Sequence, residues 1–325
     1  MLRFLLRRLL IIPFVLVLVH FVGFGYAVAG RWFQLTQDPF RVLTQDPPPV
    51  WPQYWAYLQV GFGGDWATLP GGNIETVPAA LLRTAGASLG LVALAFTLAV
   101  GLGLLLGLLS VRTHPAGVAP WLIPLSAVSL SMPSFYIGAL LLTASIFYLF
   151  TVPGAKLPFP LRGYGWDIHL VLPVIVLAVR PLMQIAQITG TVLSDELGKQ
   201  YVVAGRSLGH SWRRVRWKTA LKNVVAPVVL AVSGAFRLVL VELILVEWLF
   251  GWPGLGQLLA QCLFRPQTAN IVVASAGPPV YLYAPVLAGL LAVFALLFLL
   301  GDTVATALVR LIDPRLSPHA AEPEA

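Results

Sequence analysis

Long stretches without a charged residue constrain this chain more than any other feature of its sequence. No charge occurs from Leu9 to Gly30, from Thr84 to Val111 or from Thr113 to Ala155. A helix needs about 20 consecutive apolar residues to cross the roughly 30 Å hydrocarbon core of a bilayer. The chain is 10% charged, far below the roughly 25% that is usual in soluble domains. The sequence therefore predicts an all-α, polytopic membrane protein.

Six spans account for these stretches and for the later apolar runs. The predicted spans are approximately 9–30, 84–111, 120–150, 168–193, 226–250 and 283–309. The predicted organisation is an N-terminus with the first helix (1–30), an external loop (31–84), a five-helix core (85–310) and a tail (311–325). Within the core we expect a basic inner loop (195–227) and a second external loop (251–282), and we expect the tail to be disordered.

The first apolar run has two interpretations. Three arginines precede it, and Ala27-Val28-Ala29 is similar to the cleavage site of a signal peptide. The run from Leu9 to Gly30 is, however, longer than the roughly 7–15 apolar residues of a signal peptide. We therefore expect an uncleaved first helix.

The segment 31–84 is the least hydrophobic part of the first half. The prolines of DPPPVWP (46–52) exclude a spanning helix there. The segment contains residues typical of a membrane–water interface, namely Trp51, Tyr54, Trp55, Tyr57 and Trp66. We expect short surface helices anchored at the interface, and the alternative is that these aromatic side chains line a substrate entrance.

The distribution of basic residues sets the topology. Thirteen of the 21 Lys and Arg residues fall in segments that the six-span arrangement places inside, whereas six fall in outer loops. Because cytoplasmic loops carry the excess of Lys and Arg, we expect both termini in the cytoplasm. The net charge of +8 is then explained by topology, and we expect no nucleic-acid partner.

Polar and helix-breaking residues within the predicted spans are candidates for a translocation path, because such residues face protein or water rather than lipid. The candidates are Ser131, Pro133, Arg180, Arg237, Glu242 and Glu247. Pro133 should kink the third span and free a carbonyl. The charges of the fifth span are five residues apart and point about 140° from one another, so Arg180 is a candidate partner for Glu242. Pairing that only fixes helix packing is the alternative.

No pattern for catalysis or metal binding occurs in the sequence. Cys262 is the only cysteine, the five histidines are scattered, and neither an HExxH pair nor a GxxxxGK[ST] phosphate loop is present. Ser131, Ser134 and His169 could be imagined as a nucleophile and its base, but no motif frames them. We expect no enzymatic activity, no metal and no cofactor.

The basic inner loop, Asp195 to Pro227, carries seven of the basic residues. Two short helices are predicted, approximately 195–208 and 211–223, with a glycine turn between them. The small residues Ala204, Gly205 and Gly209 would allow another surface to approach closely, and the basic side chains would meet acidic groups of a cytosolic partner. The alternative is a loop that only fixes topology and touches anionic lipid.

Several segments of the chain, in matching order, resemble one family. They are MLRFLLRRLLIIP at the start, SMPSFYIGALLL (131–142), YVVAGRSLGHSWRRVRWKTALKNVVAPVV (201–229), VEWLFGWPGLGQLL (246–259) and IDPR (312–315). This set is similar to the dipeptide/oligopeptide/nickel permeases of ABC importers, first of their two subunit types. The loop at 195–227 resembles the EAA-type coupling loop that engages the ATPase.

The resemblance implies a type I importer permease in the bacterial inner membrane. Its partners would be a homologous second permease, two ABC ATPase subunits and an external solute-binding protein, and transport would proceed by alternating access. The implied coupling residues are Ala204, Gly205, Arg206, Gly209, Arg213, Arg214, Arg216 and Lys218. The solute could be a peptide, a nickel complex or a related molecule. A self-contained secondary carrier or channel is the alternative.

The chain departs from the family pattern in four places. The glutamate that names the loop motif falls at Val203, the segment 31–75 lacks a PGDP-like element, and the region before the last span is longer, with Gly277-Pro278-Pro279 inside it. Arg237 and Glu242 replace small or apolar residues. These departures leave the transport class intact and concern the solute.

Overall fold

The computed structural model describes residues 2–36, 49–70, 75–113, 116–264 and 280–312. Its helices are α1 (Leu2–Thr36), α2 (Val50–Phe62), α3 (Val77–Leu109), α4 (Leu122–Ser131), α5 (Ser134–Thr151), α6 (Val171–Leu197), α7 (Gln200–Ser207), α8 (Trp212–Arg214), α9 (Leu221–Phe250), α10 (Leu255–Leu263) and α11 (Ala284–Ile312). A 3-10 turn (Ile168–Leu170) precedes α6, a π-helical segment (Val215–Ala220) joins α8 to α9, and strands β1 (Val111–Thr113) and β2 (Ala116–Val118) form an antiparallel hairpin.

Six helical stretches of the described residues are long and apolar enough to cross a membrane. They are Leu6–Thr36, Val77–Leu109, Ser134–Thr151, Ile168–Leu197, Trp212–Phe250 and Ala284–Ile312. The six-span, all-α prediction is therefore confirmed. The expectations for residues 37–48, for Gly277-Pro278-Pro279 and for the tail from Asp313 onward concern parts of the chain outside the described residues.

The third span differs from the single kinked helix that the sequence predicts over 120–150. Met132 and Pro133 have extended backbones, with ψ of 127° and 145°, so the helix ends at Ser131 and a new one begins at Ser134. Pro133 removes a backbone donor and disfavours a helical conformation at Met132. The result is a complete break, which leaves α4 too short to span and α5 as the membrane-crossing helix.

The inner loop also differs from its prediction of two separate short helices. Helix α6 continues to Leu197, so the first short helix, α7, begins only at Gln200. The second does not end before the fifth span, because α8, the π-helical segment and α9 form one helical stretch from Trp212 to Phe250. Pro227 lies inside α9 and does not terminate it. The basic part of the loop is therefore directly continuous with a membrane helix.

The chain divides into two compact units, of which the first comprises residues 91–250 and the C-terminal part from Leu300. In this unit α6 packs along α9 more extensively than any other pair of described helices. Helix α6 also meets Gly103 and Gly107 of GLGLLLG, a small-residue pattern typical of close helix packing. A Cβ at Gly103 would lie 2.8 Å from the Leu182 carbonyl oxygen, and one at Gly107 would lie 2.7 Å from Thr189 Cβ.

The second unit comprises residues 2–90 and 251–299. Trp252 is fully buried in it and donates from Nε1 to the Ala87 carbonyl at 3.1 Å. Within the segment 251–282, predicted as the second external loop, Leu255–Leu263 fold as α10, and one face of this helix is buried. Among the aromatic residues expected at the membrane interface, Tyr54 is buried against α1, whereas Trp51 and Trp55 are exposed.

Candidate functional site

An ion pair joins α6 to α9 inside the first unit. The Arg180 guanidinium donates from Nη1 to one carboxylate oxygen of Glu242, and the Ser134 hydroxyl donates to the other. Arg180 Nη2 donates in addition to the backbone carbonyl of Leu130 at 3.0 Å. Glu242 is 8% exposed. The predicted pairing of Arg180 with Glu242 is confirmed.

The break at Pro133 explains why Leu130 is available to the arginine. In a continuous helix the carbonyl of Leu130 would accept from the backbone N–H of Ser134, but Ser134 starts a new helix here. A cationic side chain at a helix C-terminus satisfies such a carbonyl and interacts favourably with the helix dipole. The Leu130 carbonyl that the helix break leaves free is thus held by Arg180, so four helices, α4, α5, α6 and α9, meet at one cluster.

Because this cluster is buried, its contribution to stability depends on the presence of every member. Removing one partner of a buried ion pair costs roughly 3–5 kcal/mol, because the other charge is left uncompensated. Both carboxylate oxygens of Glu242 have a donor, and Arg180 uses two of its nitrogens. Its Nε is buried and has no hydrogen-bond partner within the described part of the chain. The Nε–H group of Arg180 is therefore a donor with no acceptor among the described residues.

Two of the other path candidates, Arg237 and Ser131, bond to residues outside this cluster. Arg237 forms an ion pair with Asp302 at 3.4 Å, and both side chains are partly exposed. Ser131 donates to the Val128 carbonyl of its own helix, at 2.9 Å. Glu247 lies five residues beyond Glu242 on α9, about 1.4 turns further along, and is fully buried. Of the six predicted path residues, Pro133, Arg180 and Glu242 are brought together, with Ser134 as an additional member.

Ser134 and His169, considered above as a nucleophile and its base, each bond to a carboxylate and not to one another. Ser134 binds Glu242, and the ring of His169 contacts the Asp167 carboxylate at 2.6 Å. Asp167 also accepts from the His169 backbone N–H, and these hydrogen bonds hold the pKa of the Asp167 carboxyl below its usual range.

The inner loop presents an exposed surface with both apolar and basic side chains. Val203 is 66% exposed and Leu208 is 78% exposed. The exposed members of the predicted coupling set are Ala204, Arg206, Gly209, Arg213, Arg214 and Lys218. Gly209 has φ of +82°, a conformation that glycine adopts without strain, and it turns the chain between α7 and α8. A glycine is therefore required here by the backbone of the turn.

Two arginines and one glycine of the predicted set are engaged within the chain. Arg216 is partly buried and donates to the Leu108 carbonyl near the C-terminal end of α3. Arg206 lies over the Trp212 ring, 4.9 Å from its centroid, and donates to the His210 carbonyl at 2.6 Å. Gly205 is half-buried, and a Cβ there would contact Val215 at 3.7 Å. These residues shape the loop, and Arg213, Arg214 and Lys218 remain as its outward basic side chains.

A buried carboxylate at the end of α6 binds residues of the inner loop. Glu196, near the end of α6, is 6% exposed. It accepts from Tyr201 Oη at 2.8 Å, Asn223 Nδ2 at 2.8 Å and Lys199 Nζ at 2.6 Å. Burial, together with the hydrogen bond to Glu196, raises the pKa of Tyr201 to about 12. Sequence reasoning did not single out these residues, because each belongs to a type that is common on any polar loop.

An apolar cluster lies beside this carboxylate. Its buried members are Val111, Leu193, Leu197, Val202, Val215, Ala220 and Val224. They come from the β-hairpin, α6, α7, the π-helical segment and α9. The hydrophobic contacts therefore hold the inward face of the loop and leave its outward face available.

The fold and this site together define a class of protein. Six membrane-crossing helices, a buried ion pair among them and an exposed basic loop continuous with one of the helices are features of a membrane permease that receives a partner. Residues 99–318 match the family described as the binding-protein-dependent transport system inner membrane component. The chain belongs to this family.

The relatives agree with the family over most of the chain. The dipeptide transport system permease protein DppB of Lactococcus lactis subsp. cremoris (strain MG1363) is 26% identical over 97% of this chain and 99% of its own length. DppB of Escherichia coli (strain K12) is 27% identical over 82% of this chain and 88% of its own length. The oligopeptide transport system permease protein AppB of Bacillus subtilis (strain 168) is 24% identical over 82% of this chain and 81% of its own length.

The chain is thus a transmembrane permease subunit of an ABC importer. It is a multi-pass protein of the bacterial inner membrane and works with ATPase and substrate-binding partners. The resemblance stated from its separated sequence motifs is confirmed.

Proposed function

We propose that this permease moves peptides across the inner membrane by alternating access. The relatives described above carry the names of dipeptide and oligopeptide permeases, which favours a peptide over a nickel complex. The L. lactis relative aligns with nearly the full length of this chain, so the similarity is not limited to the part that any importer permease shares. Uptake of labelled dipeptides and longer peptides by the assembled importer tests the choice of solute.

The assembly that we propose contains this chain, a homologous second permease, two ATPase subunits and an external solute-binding protein. The ATPase docks on the loop at 195–227, in the cytoplasm, and both termini of this chain lie on the same side. The observation that carries the docking role is the outward face of the loop. On this loop the apolar side chains Val203 and Leu208 and the basic side chains Arg213, Arg214 and Lys218 are all exposed.

The absence of a glutamate at Val203 decides what docking depends on. The carboxylate that would otherwise pair with a cation of the partner is missing, so the contact rests on apolar burial and on basic side chains. Burying apolar surface yields about 25 cal/mol per Å², and Val203 and Leu208 together offer two largely exposed side chains. The complementary surface on the ATPase should be an apolar groove with acidic residues at its rim.

Closure of the ATPase dimer displaces the loop and, through it, the helices around the path. The loop is continuous with α9, and α9 packs along α6. The path that we propose runs beside the helix break at Pro133 and the cluster of Arg180, Glu242 and Ser134. The Nε of Arg180 is buried in this structure, and in this proposal the rearrangement of the helices exposes it to a peptide carbonyl or carboxylate.

The docking role is tested by charge reversal on the loop. Arg213→Glu combined with Arg214→Glu should abolish co-purification of the ATPase and peptide uptake, as should Gly209→Val, because valine is strained at positive φ. Lys156→Glu, an exposed charge reversal outside the loop, is the matched control. If ATPase association and uptake survive both loop changes, docking occurs elsewhere. Uptake by the isolated chain in liposomes would instead favour a self-contained carrier.

A further inference from the structure

We propose that Glu196 is a positioning residue of the transport cycle. Its carboxylate fixes the coupling loop to α6 and α9 together, so that a displacement of α7 is passed to both helices. The proposal rests on the proposed function of this loop as the ATPase-docking site. No sequence motif marks the residue, and its role follows from where its three donors come from.

Those donors belong to three different parts of the loop. Lys199 precedes α7, Tyr201 lies in its first turn, and Asn223 lies in the first turn of α9. Tyr201 and Asn223 share one carboxylate oxygen, and Lys199 binds the other. The Tyr201 hydroxyl also lies 3.5 Å from Asn223 Nδ2. Glu196 is therefore the common acceptor that connects the end of α6 to both sides of the loop.

Helix α7 needs such an anchor because it is short. It has eight residues, of which Val202 is the buried one. Isolated helices of fewer than about 12–15 residues are marginal in water, so tertiary contacts have to hold α7 in place. Val202 provides the apolar contact and Tyr201 the polar one. Without the carboxylate, α7 would keep its hydrophobic contact but lose the directional bond that fixes its orientation.

The Glu196 carboxylate also joins α6 to α9 at a second position along the two helices. The Arg180–Glu242 pair links these helices within the membrane, and the Glu196–Asn223 hydrogen bond links them at the loop. The two links are about 24 Å apart along α6, at a rise of about 1.5 Å per residue. Two helices fastened at both levels move as one body. A push on α7 therefore reaches Arg180 and Glu242 without a change in how α6 and α9 pack.

The experiment compares Glu196→Gln and Tyr201→Phe in the complete importer, reconstituted with its ATPases and binding protein. Both substitutions keep the size of the side chain, and each weakens the hydrogen bond between Glu196 and α7. A hydrogen bond to a charged group is worth enough to change an equilibrium by about tenfold or more. We therefore expect a fall of about tenfold in peptide transported per ATP hydrolysed, with ATPase co-purification and basal ATP hydrolysis unchanged.

Ser207→Ala is the matched control, since among the described residues the Ser207 hydroxyl bonds to the Ala204 carbonyl of its own helix, at 2.8 Å, and to no other group. It should leave the ratio of transport to hydrolysis at the wild-type value. An unchanged ratio in both Glu196→Gln and Tyr201→Phe overturns the proposal. So does a fall in thermal stability and ATPase binding that accounts for the whole loss of transport, because a residue needed only for folding gives that result.

The outcome also separates this inference from the docking role. If Arg213→Glu with Arg214→Glu abolishes ATPase binding while the Glu196 and Tyr201 variants transport normally, the loop receives the ATPase and Glu196 has no part in coupling. If the charge reversals leave ATPase binding intact, the docking role fails, whatever the Glu196 variants do.

Discussion

Arg180 on α6 donates to Glu242 on α9 and, with a second nitrogen, to the Leu130 carbonyl at the end of α4. Arg180 thus neutralises the Glu242 carboxylate within the membrane and also caps the C-terminus of α4. A guanidinium suits this double task because it is planar and presents its donors in a fixed fork. The helix break and the intramembrane charges, which the sequence presents as separate features, form one structural unit.

The first prediction concerns the loss of either charge. Arg180→Met and Glu242→Leu should each destabilise the protein by roughly 3–5 kcal/mol, because each leaves an uncompensated buried charge. The double variant should recover most of that loss, since buried ion pairs can often be replaced by apolar residues of similar volume. Thermal unfolding of the four proteins in one detergent, analysed as a double-mutant cycle, measures the coupling.

Arg237→Met is the control for this cycle. Its ion pair with Asp302 is longer, at 3.4 Å, and partly exposed. Exposed pairs contribute about 0–1 kcal/mol, so the variant should unfold close to the wild-type temperature. Additive effects of Arg180→Met and Glu242→Leu would contradict the pairing.

The second prediction separates the two tasks of Arg180. Arg180→Lys keeps a positive charge for Glu242, but a compact ammonium lacks the fork that reaches two acceptors in fixed directions. The variant should retain the ion pair and lose the cap on Leu130, at a cost of about 1 kcal/mol. Backbone hydrogen exchange measured by mass spectrometry should then increase in α4 and stay unchanged in α9. Equal protection of both helices in wild type and variant would show that the cap is not needed.

Sequence reasoning reached the six spans and the Arg180–Glu242 pair because both have strong local signals. Uncharged runs of spanning length are rare outside membranes, and charges within them need partners. It missed the complete break at Met132 and the continuity of α9 with the loop, because a proline marks a weak point without deciding between a kink and a break. Pro133 separates two helices, whereas Pro227 is accommodated inside one.

The role proposed for Glu196 could not be predicted from the sequence, for a different reason. Its donors Lys199, Tyr201 and Asn223 are ordinary loop residues, and their convergence depends on how α7 folds back between α6 and α9. The outward residues Arg213 and Arg214 were predictable because charge on an inner loop is visible in the sequence. The inward orientation of Arg216, which binds the Leu108 carbonyl, was not predictable, because it depends on the packing of α3.

The third prediction concerns close packing between α3 and α6. Gly107→Leu would place its Cβ 2.7 Å from Thr189 Cβ and 2.8 Å from the Ala186 carbonyl oxygen, so the helices have to separate. Overpacking of this kind typically costs about 1–3 kcal/mol. Gly101→Leu is the matched control on the same helix, since a Cβ at Gly101 meets no atom within 4 Å. Gly107→Leu should lower the unfolding temperature and the control should not. Equal effects would mean that helix propensity, and not packing, governs these positions.

The last prediction is a pH dependence in the second unit. Arg83 donates two hydrogen bonds to the Glu75 carboxylate, at 2.9 and 3.1 Å, and they hold the pKa of Glu75 below its usual value. A carboxyl whose pKa is lower in the folded state contributes stability above its unfolded pKa, and this contribution disappears as the pH falls through the folded pKa. Arg83 is largely exposed, so the contribution at pH 7 should be below about 1 kcal/mol. Wild type and Arg83→Gln should therefore differ slightly in unfolding temperature at pH 7 and converge at acidic pH. A difference that persists after Glu75 is protonated would mean that Arg83 stabilises the protein through contacts other than this carboxylate.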